Sequence, residues 1–222
     1  MDADLEKHVK KTGTLTVGIV CKDGIVLAAD NRQTYASGNG IAYFAGTAEK
    51  IHAINDRILA TTAGTASDSR RTLKLIGAEI KLKELKSKTE VTMKEASSLI
   101  SNMLFQNIRQ PSMIPSIAHF LVAGYDKVEG NSLYEVSPDG YLQKIETYEA
   151  TGAPFESNAI FDVEYHKDMS IEEAIKLSEK VFKSTRGRQP GVGDGWDIYV
   201  IKNNSIEKVS GQKIVSELVD KE

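Results

Sequence analysis

An α+β domain, with strands, helices, strands, helices and strands in turn along one chain, is the fold class this sequence predicts. Three observations carry it. Asp23-Gly24 lies between two runs of apolar alternation, the strongest short-range signal for a β-hairpin. Two capping boxes, Thr92-Met93-Lys94-Glu95 and Ser170-Ile171-Glu172-Glu173, each open a helical pattern. Between them Ser137-Pro138-Asp139-Gly140 places proline and glycine where a turn favours them. This order fits two antiparallel sheets between two helical layers.

The elements follow from local chemistry. The hairpin spans Leu15 to Asp30 and turns at Lys22-Asp23-Gly24; strands Glu49 to Ile54 and Arg57 to Ala63 meet at Asn55-Asp56, and these strands would form one sheet. Ser67 and Asp68 offer N-caps to a helix reaching about Leu85, with Leu73, Ile76, Ile80 and Leu85 near helical spacing. The helix opened by Thr92 runs to about Ile108, before Pro111. Strands Ile117 to Tyr125, Ser132 to Val136 and Tyr141 to Thr147 come next. Pro154 suits the first turn of a helix to about His166, and the Ser170 box starts another to Thr185. Strands Trp196 to Ile201 and Ile206 to Val209 close the chain.

A chain of 222 residues is long enough for one substantial core, its formal charge of −3 gives neither the basic patch of a nucleic-acid binder nor an acidic tail, and no segment approaches the ~18 apolar residues of a membrane-spanning helix. The single cysteine, Cys21, excludes an intrachain disulfide and fits a reducing compartment. The first thirteen residues mix acidic and basic side chains with no apolar stretch, so they read as neither a secretory signal nor an anchor. A cytoplasmic protein with a short removable leader is the expectation. The four histidines show no ligand spacing, so no metal or other cofactor is expected.

Chemistry enters at Gly13-Thr14. A threonine that becomes residue one after cleavage carries a hydroxyl nucleophile and a free α-amine together, and the amine can serve as the base. Its pKa of roughly 7.7 to 8.0 leaves a useful neutral fraction at physiological pH. While Gly13 is attached the nitrogen is an amide without that basicity. The pair also reads simply as the start of a β-branched strand.

The segments GTLTVGIV (Gly13 to Val20), GIVLAADNRQT (Gly24 to Thr34), EKIHAI (Glu49 to Ile54), TTAGTASD (Thr61 to Asp68), SNML (Ser101 to Leu104) and LVAGYD (Leu121 to Asp126) resemble, in order and spacing, the β-type subunit of the 20S proteasome, most closely the archaeal kind. The resemblance implies a four-layer αββα sandwich, the N-terminal-nucleophile hydrolase fold, and a threonine-type endopeptidase. It implies a propeptide at residues 1–13, cleaved between Gly13 and Thr14, a hydrolase domain at 14–210 and a tail at 211–222. It places Asp30, Arg32 and Lys50 around the Thr14 nucleophile and aims the Gly64 backbone N–H at the oxyanion, a donor worth about 3–4 kcal/mol of barrier. Asp30 and Arg32, two apart on one strand, would share a face. Taken alone, Lys50 also reads as a snorkelling surface side chain.

By the same resemblance Thr34 pairs with an extended peptide through its backbone, and Thr62, Ala66 and Arg70 line the first specificity pocket. The implied partners are α-type and other β-type subunits in four stacked seven-membered rings, an ATP-dependent unfoldase on the α rings, and unfolded polypeptides. Three positions depart from the family pattern. Thr151-Gly152-Ala153-Pro154 stands where a serine-bearing turn is usual, and in Arg188-Gln189-Pro190-Gly191-Val192-Gly193 the residues Gln189 and Val192 replace an aspartate and a serine that support the threonine amine. A ring subunit that keeps its leader and serves architecture alone is the alternative these departures leave open.

Overall fold

The Asp-Gly hairpin forms as its residues dictate: β1 (Thr16–Cys21) and β2 (Gly24–Asp30) pair from Cys21↔Gly24 to Thr16↔Ala29. The computed structural model describes residues 13–36, 42–113, 116–202 and 204–213. Of the expected leader (1–13) and tail (211–222), residues 1–12 and 214–222 lie outside the described residues.

Two sheets build the domain. β12 (Gly195–Lys202) lies beside β2, β13 (Ser205–Lys213) beside β12, and β11 (Tyr148–Thr151) beside β1, giving the order β11-β1-β2-β12-β13. The second sheet holds β5 (Ile51–Asn55), β6 (Ile58–Thr61), β8 (Ala118–Asp126), β9 (Gly130–Val136) and β10 (Leu142–Ile145), in the order β10-β9-β8-β6-β5. The short β7 (Ala63–Gly64) pairs with β8 off that path.

Several expectations change here. The first hairpin and the β5–β6 pair belong to different sheets, so they do not form one. The strand expected over Tyr141 to Thr147 is the shorter β10, which stays on β9, and an unforeseen strand, β11, follows it in the other sheet, where Thr151 pairs with Thr16. Alternation in sequence carries no mark of the crossing between sheets. A third pair, β3 (Arg32–Ala36) and β4 (Ala42–Thr47), was not foreseen, because neither RQTYA nor AYFAGT alternates apolar with polar residues.

Of four helices among the described residues, α1 (Ala66–Ser87) is capped not by Ser67 or Asp68, which lie inside its first turn, but by Thr65, which makes no side-chain capping bond, and it ends at Lys88 in the left-handed region. α2 (Met93–Arg109) and α4 (Ile171–Thr185) both carry the expected capping boxes, Thr92 with Glu95 and Ser170 with Glu173. α3 (Pro154–Glu164) begins on its proline.

Burial assigns the layers. Val17, Ile19, Val26 and Ala28 pack with Phe161, Leu177, Val181 and Phe182, so α3 and α4 cover the outer face of the first sheet. Ile58, Ala60, Phe120 and Val122 pack with Ile76, Ile80, Ala96 and Ile100 under α1 and α2. Ile25, Leu27, Leu59, Leu121 and Leu133 fill the space between the sheets. β2 is therefore buried on both faces, alternate residues serving two different cores. The result is the four-layer αββα sandwich, and the ends of β1, β2 and β5 meet at one rim.

Candidate active site

Thr14 lies just ahead of β1, where Leu15 exchanges bonds with Asp30: the Leu15 N–H donates to Asp30 Oδ1 at 2.9 Å and the Asp30 N–H to the Leu15 carbonyl at 3.0 Å. Lys50, one residue before β5, reaches across from the second sheet. Its Nζ donates to Asp30 Oδ1 at 2.7 Å and to Thr14 Oγ1 at 3.1 Å. All three residues are buried, at 2 % exposure for Thr14, 1 % for Asp30 and 8 % for Lys50. The snorkelling reading of Lys50 fails on that burial.

Burial raises the Asp30 pKa and lowers that of Lys50, because each charged form loses water; the ion pair works against both shifts. Asp30 Oδ2 accepts two more bonds, from the Arg32 N–H at 3.0 Å and the Gly193 N–H at 3.2 Å. A hydroxyl hydrogen-bonded to an amine whose proton is held less tightly than usual is one that can be made nucleophilic.

Arg32 sits differently from expectation. β2 ends at Asp30 and β3 starts at Arg32, so the two do not share a strand face. The Arg32 guanidinium turns to Asp194, with Nε and Nη2 on its two carboxylate oxygens at 3.0 and 3.1 Å, while Nη1 donates to the Pro190 carbonyl at 3.0 Å. Asp194 is the residue sequence reasoning missed. It holds φ at 60°, and its position between Gly193 and Gly195 was the available turn signal.

One cleft is lined by Thr14, Arg32, Lys50, Gly64, Thr62, Ala66 and Arg70, and the structure thus brings these expected positions together, Arg32 included although its guanidinium is held by Asp194. Thr34 lies apart from that lining, buried on β3. Glu49 and His52 also line the cleft and were not foreseen. Burial pushes the His52 pKa down, the Arg70 charge adds to that, and Glu49 opposes it. Among the described residues no three His, Cys, Asp or Glu side chains converge so as to hold a metal ion.

The departing positions have other partners. Ala153 is the N-cap of α3 without a side-chain bond, Gln189 donates to Glu156 on α3, and Val192 is 1 % exposed in the first core. Gly152, at φ 91°, passes so close to Thr14 that a Cβ there would lie 2.0 Å from the Thr14 carbonyl oxygen.

Two antiparallel sheets between two helical layers, with a threonine at the rim of the first, define the N-terminal-nucleophile hydrolase fold. The sequence profile of the family described as "Proteasome subunit" matches residues 10–201. Relatives named proteasome subunit beta include those of Ferroglobus placidus, 34 % identical over 91 % of this chain and 92 % of that protein, and Methanocaldococcus fervens, 32 % identical over 94 % and 92 %. A third, from Methanocaldococcus vulcanius, is 31 % identical over 91 % and 87 %. The chain belongs to the proteasome subunit family, on its β-type branch. Among the described residues no helix is long and apolar enough to cross a membrane.

Proposed function

We propose that this β-type subunit is a threonine endopeptidase that removes its own leader between Gly13 and Thr14 and then hydrolyses unfolded polypeptides. The observation that carries the reading is Lys50 Nζ, 3.1 Å from Thr14 Oγ1 and 2.7 Å from Asp30 in a buried setting. In the first step Thr14 Oγ1 bonds to the Gly13 carbonyl carbon and its proton passes to solvent, a loss made easier by the Lys50 ammonium that Asp30 holds cationic beside the oxygen. The peptide C–N bond then breaks, the threonine nitrogen takes up a proton, and an ester remains. Water cleaves that ester to a Gly13 carboxylate and a free hydroxyl.

Thr14 now holds an α-amine of pKa roughly 7.7–8.0, the base for the second reaction. A substrate peptide lies extended along the Thr34 backbone with one side chain toward Thr62, Ala66 and Arg70. Its carbonyl is attacked by Thr14 Oγ1 while the Gly64 N–H takes the developing negative charge. Asp30 holds Lys50, and Arg32 holds the Pro190 carbonyl and the Asp194 carboxylate beside them. Residues 1–13 act as propeptide, 14–210 as the hydrolase domain and 211–222 as a tail. The subunit works in the cytoplasm within two β rings stacked between two α-type rings, fed by an ATP-dependent unfoldase on the α rings.

The departures at Ala153, Gln189 and Val192 favour a second reading, an unprocessed subunit that completes a ring and cuts nothing. Intact mass of the assembled particle decides: loss of the first thirteen residues supports the protease, retention the scaffold. Treatment with an epoxyketone, which needs hydroxyl and α-amine together, should add one adduct on Thr14. Thr14→Ala should abolish both hydrolysis and leader loss while rings still form; undiminished cleavage by that variant would end the assignment.

A further inference from the structure

Gly13, the last residue before the proposed scissile bond, packs against the 188–193 segment. Gly13 lies face to face with Gly191: a Cβ built on Gly191 would come within 2.1 Å of the Gly13 Cα and 2.8 Å of its nitrogen. A Cβ on Gly13 would in turn come within 2.3 Å of the Gly191 Cα. Contacts that short do not occur between real atoms, so two backbones touch here only because neither carries a side chain.

The segment carrying Gly191 is not free to step back. The Leu15 N–H is held by Asp30 Oδ1 and the Gly193 N–H by Asp30 Oδ2, so one carboxylate fixes both segments at either side of the contact. Arg32 holds Pro190 and Asp194 on the two flanks of Gly191. The Val192 N–H bonds the Gln189 carbonyl, and its side chain is buried in the core. A side chain at 191 would therefore displace Gly13 rather than the segment carrying it.

The geometry points to Gly191 as the residue that positions the Gly13–Thr14 bond for leader release, with no part in hydrolysis by the mature site. The inference rests on the proposed self-cleavage. Attack by Thr14 Oγ1 on the neighbouring carbonyl carbon needs that carbonyl held in one orientation, and misplacement by about 1 Å costs on the order of 100-fold in rate. Once the leader has gone, Gly13 no longer occupies the space, and a methyl group on residue 191 meets nothing from it.

The test compares Gly191→Ala with the parent in two forms. One is the full chain; the other starts at Met followed by Thr14, from which host methionine aminopeptidase bares the threonine. Intact mass follows leader loss in the first, and peptide hydrolysis is read in the second. The expected result is leader removal slowed on the order of 100-fold in full-length Gly191→Ala, with hydrolysis by the pre-exposed variant in the same order of magnitude as the parent. If the full-length variant matures at the parental rate, the positioning role is wrong. If the pre-exposed variant is also inactive or misfolded, Gly191 is a general structural residue and the inference falls. If the parent itself never loses its leader, the proposed protease fails first and takes this inference with it.

Discussion

Asp30 accepts hydrogen bonds from Lys50, Leu15, Arg32 and Gly193, and this concentration of donors on one carboxylate makes the residue scale decisive. Lys50→Ala would leave that carboxylate buried without its cation, a loss of about 3–5 kcal/mol by analogy with broken buried pairs. Its denaturant midpoint should fall accordingly, and hydrolysis should drop by roughly 100-fold or more; near-parental turnover would remove Lys50 from the mechanism. Asp194→Asn isolates a charge, because asparagine tolerates the same positive φ. With the Arg32 pair weakened and the Pro190–Asp194 segment loosened, peptide turnover should fall on the order of tenfold at nearly unchanged melting temperature. Gln189→Asp should not raise activity, because position 189 faces Glu156, and the new carboxylate would meet a like charge there. An increase in turnover would show that residue 189 reaches the threonine by another route.

At the scale of elements, Asp126 shows how a strand end sets a helix. From the end of β8 its Oδ2 accepts the Met93 N–H at 2.6 Å in the first turn of α2, and Oδ1 accepts from Val128 and Glu129, both at 2.7 Å. Burial alone would raise its pKa, but these N–H donors and the Arg57 charge together lower it below the usual carboxylate value. A depressed folded-state pKa means stability that is present above the unfolded value of about 3.9 and lost as pH falls through the folded value. Asp126→Asn should therefore cost about 1–3 kcal/mol at neutral pH and flatten the acid limb of the stability profile below about pH 4. An unchanged acid limb would contradict the assignment. The capping boxes at Thr92 and Ser170 were legible because both partners lie within four residues. Asp126 is 33 positions from Met93, and no local pattern announces it.

The whole molecule depends on how its two sheets face each other. Thr61 on β6 donates to Thr16 Oγ1 on β1 at 3.1 Å, Thr16 meets Thr151 Oγ1 on β11 at 2.7 Å, and the Leu121 N–H donates to Thr61 Oγ1 at 3.1 Å. These hydroxyls tie sheet to sheet two residues from Thr14. Thr61→Val keeps the shape but strands the Leu121 N–H, so it should cost about 1–3 kcal/mol. Leader release, read by mass, should also slow, because Lys50 comes from one sheet and Thr14 from the other; wild-type stability in that variant would show the sheets are held by apolar packing alone.

Periodicity, turn chemistry and capping are short-range, so the sequence by itself determined the hairpin, four of the helices and the order in which strands and helices alternate. It also supplied Thr14, Asp30, Arg32, Lys50, Gly64, Thr62, Ala66 and Arg70 as residues that the fold gathers at one rim. Tertiary structure alone decided that the first hairpin and the β5–β6 pair lie in opposite sheets, that Arg32 turns to Asp194, and that Gly13 rests on Gly191. The physical reason is distance along the chain. Arg32 and Asp194 are separated by 162 positions, and such partners are chosen by the packing of whole layers rather than by any neighbour's chemistry.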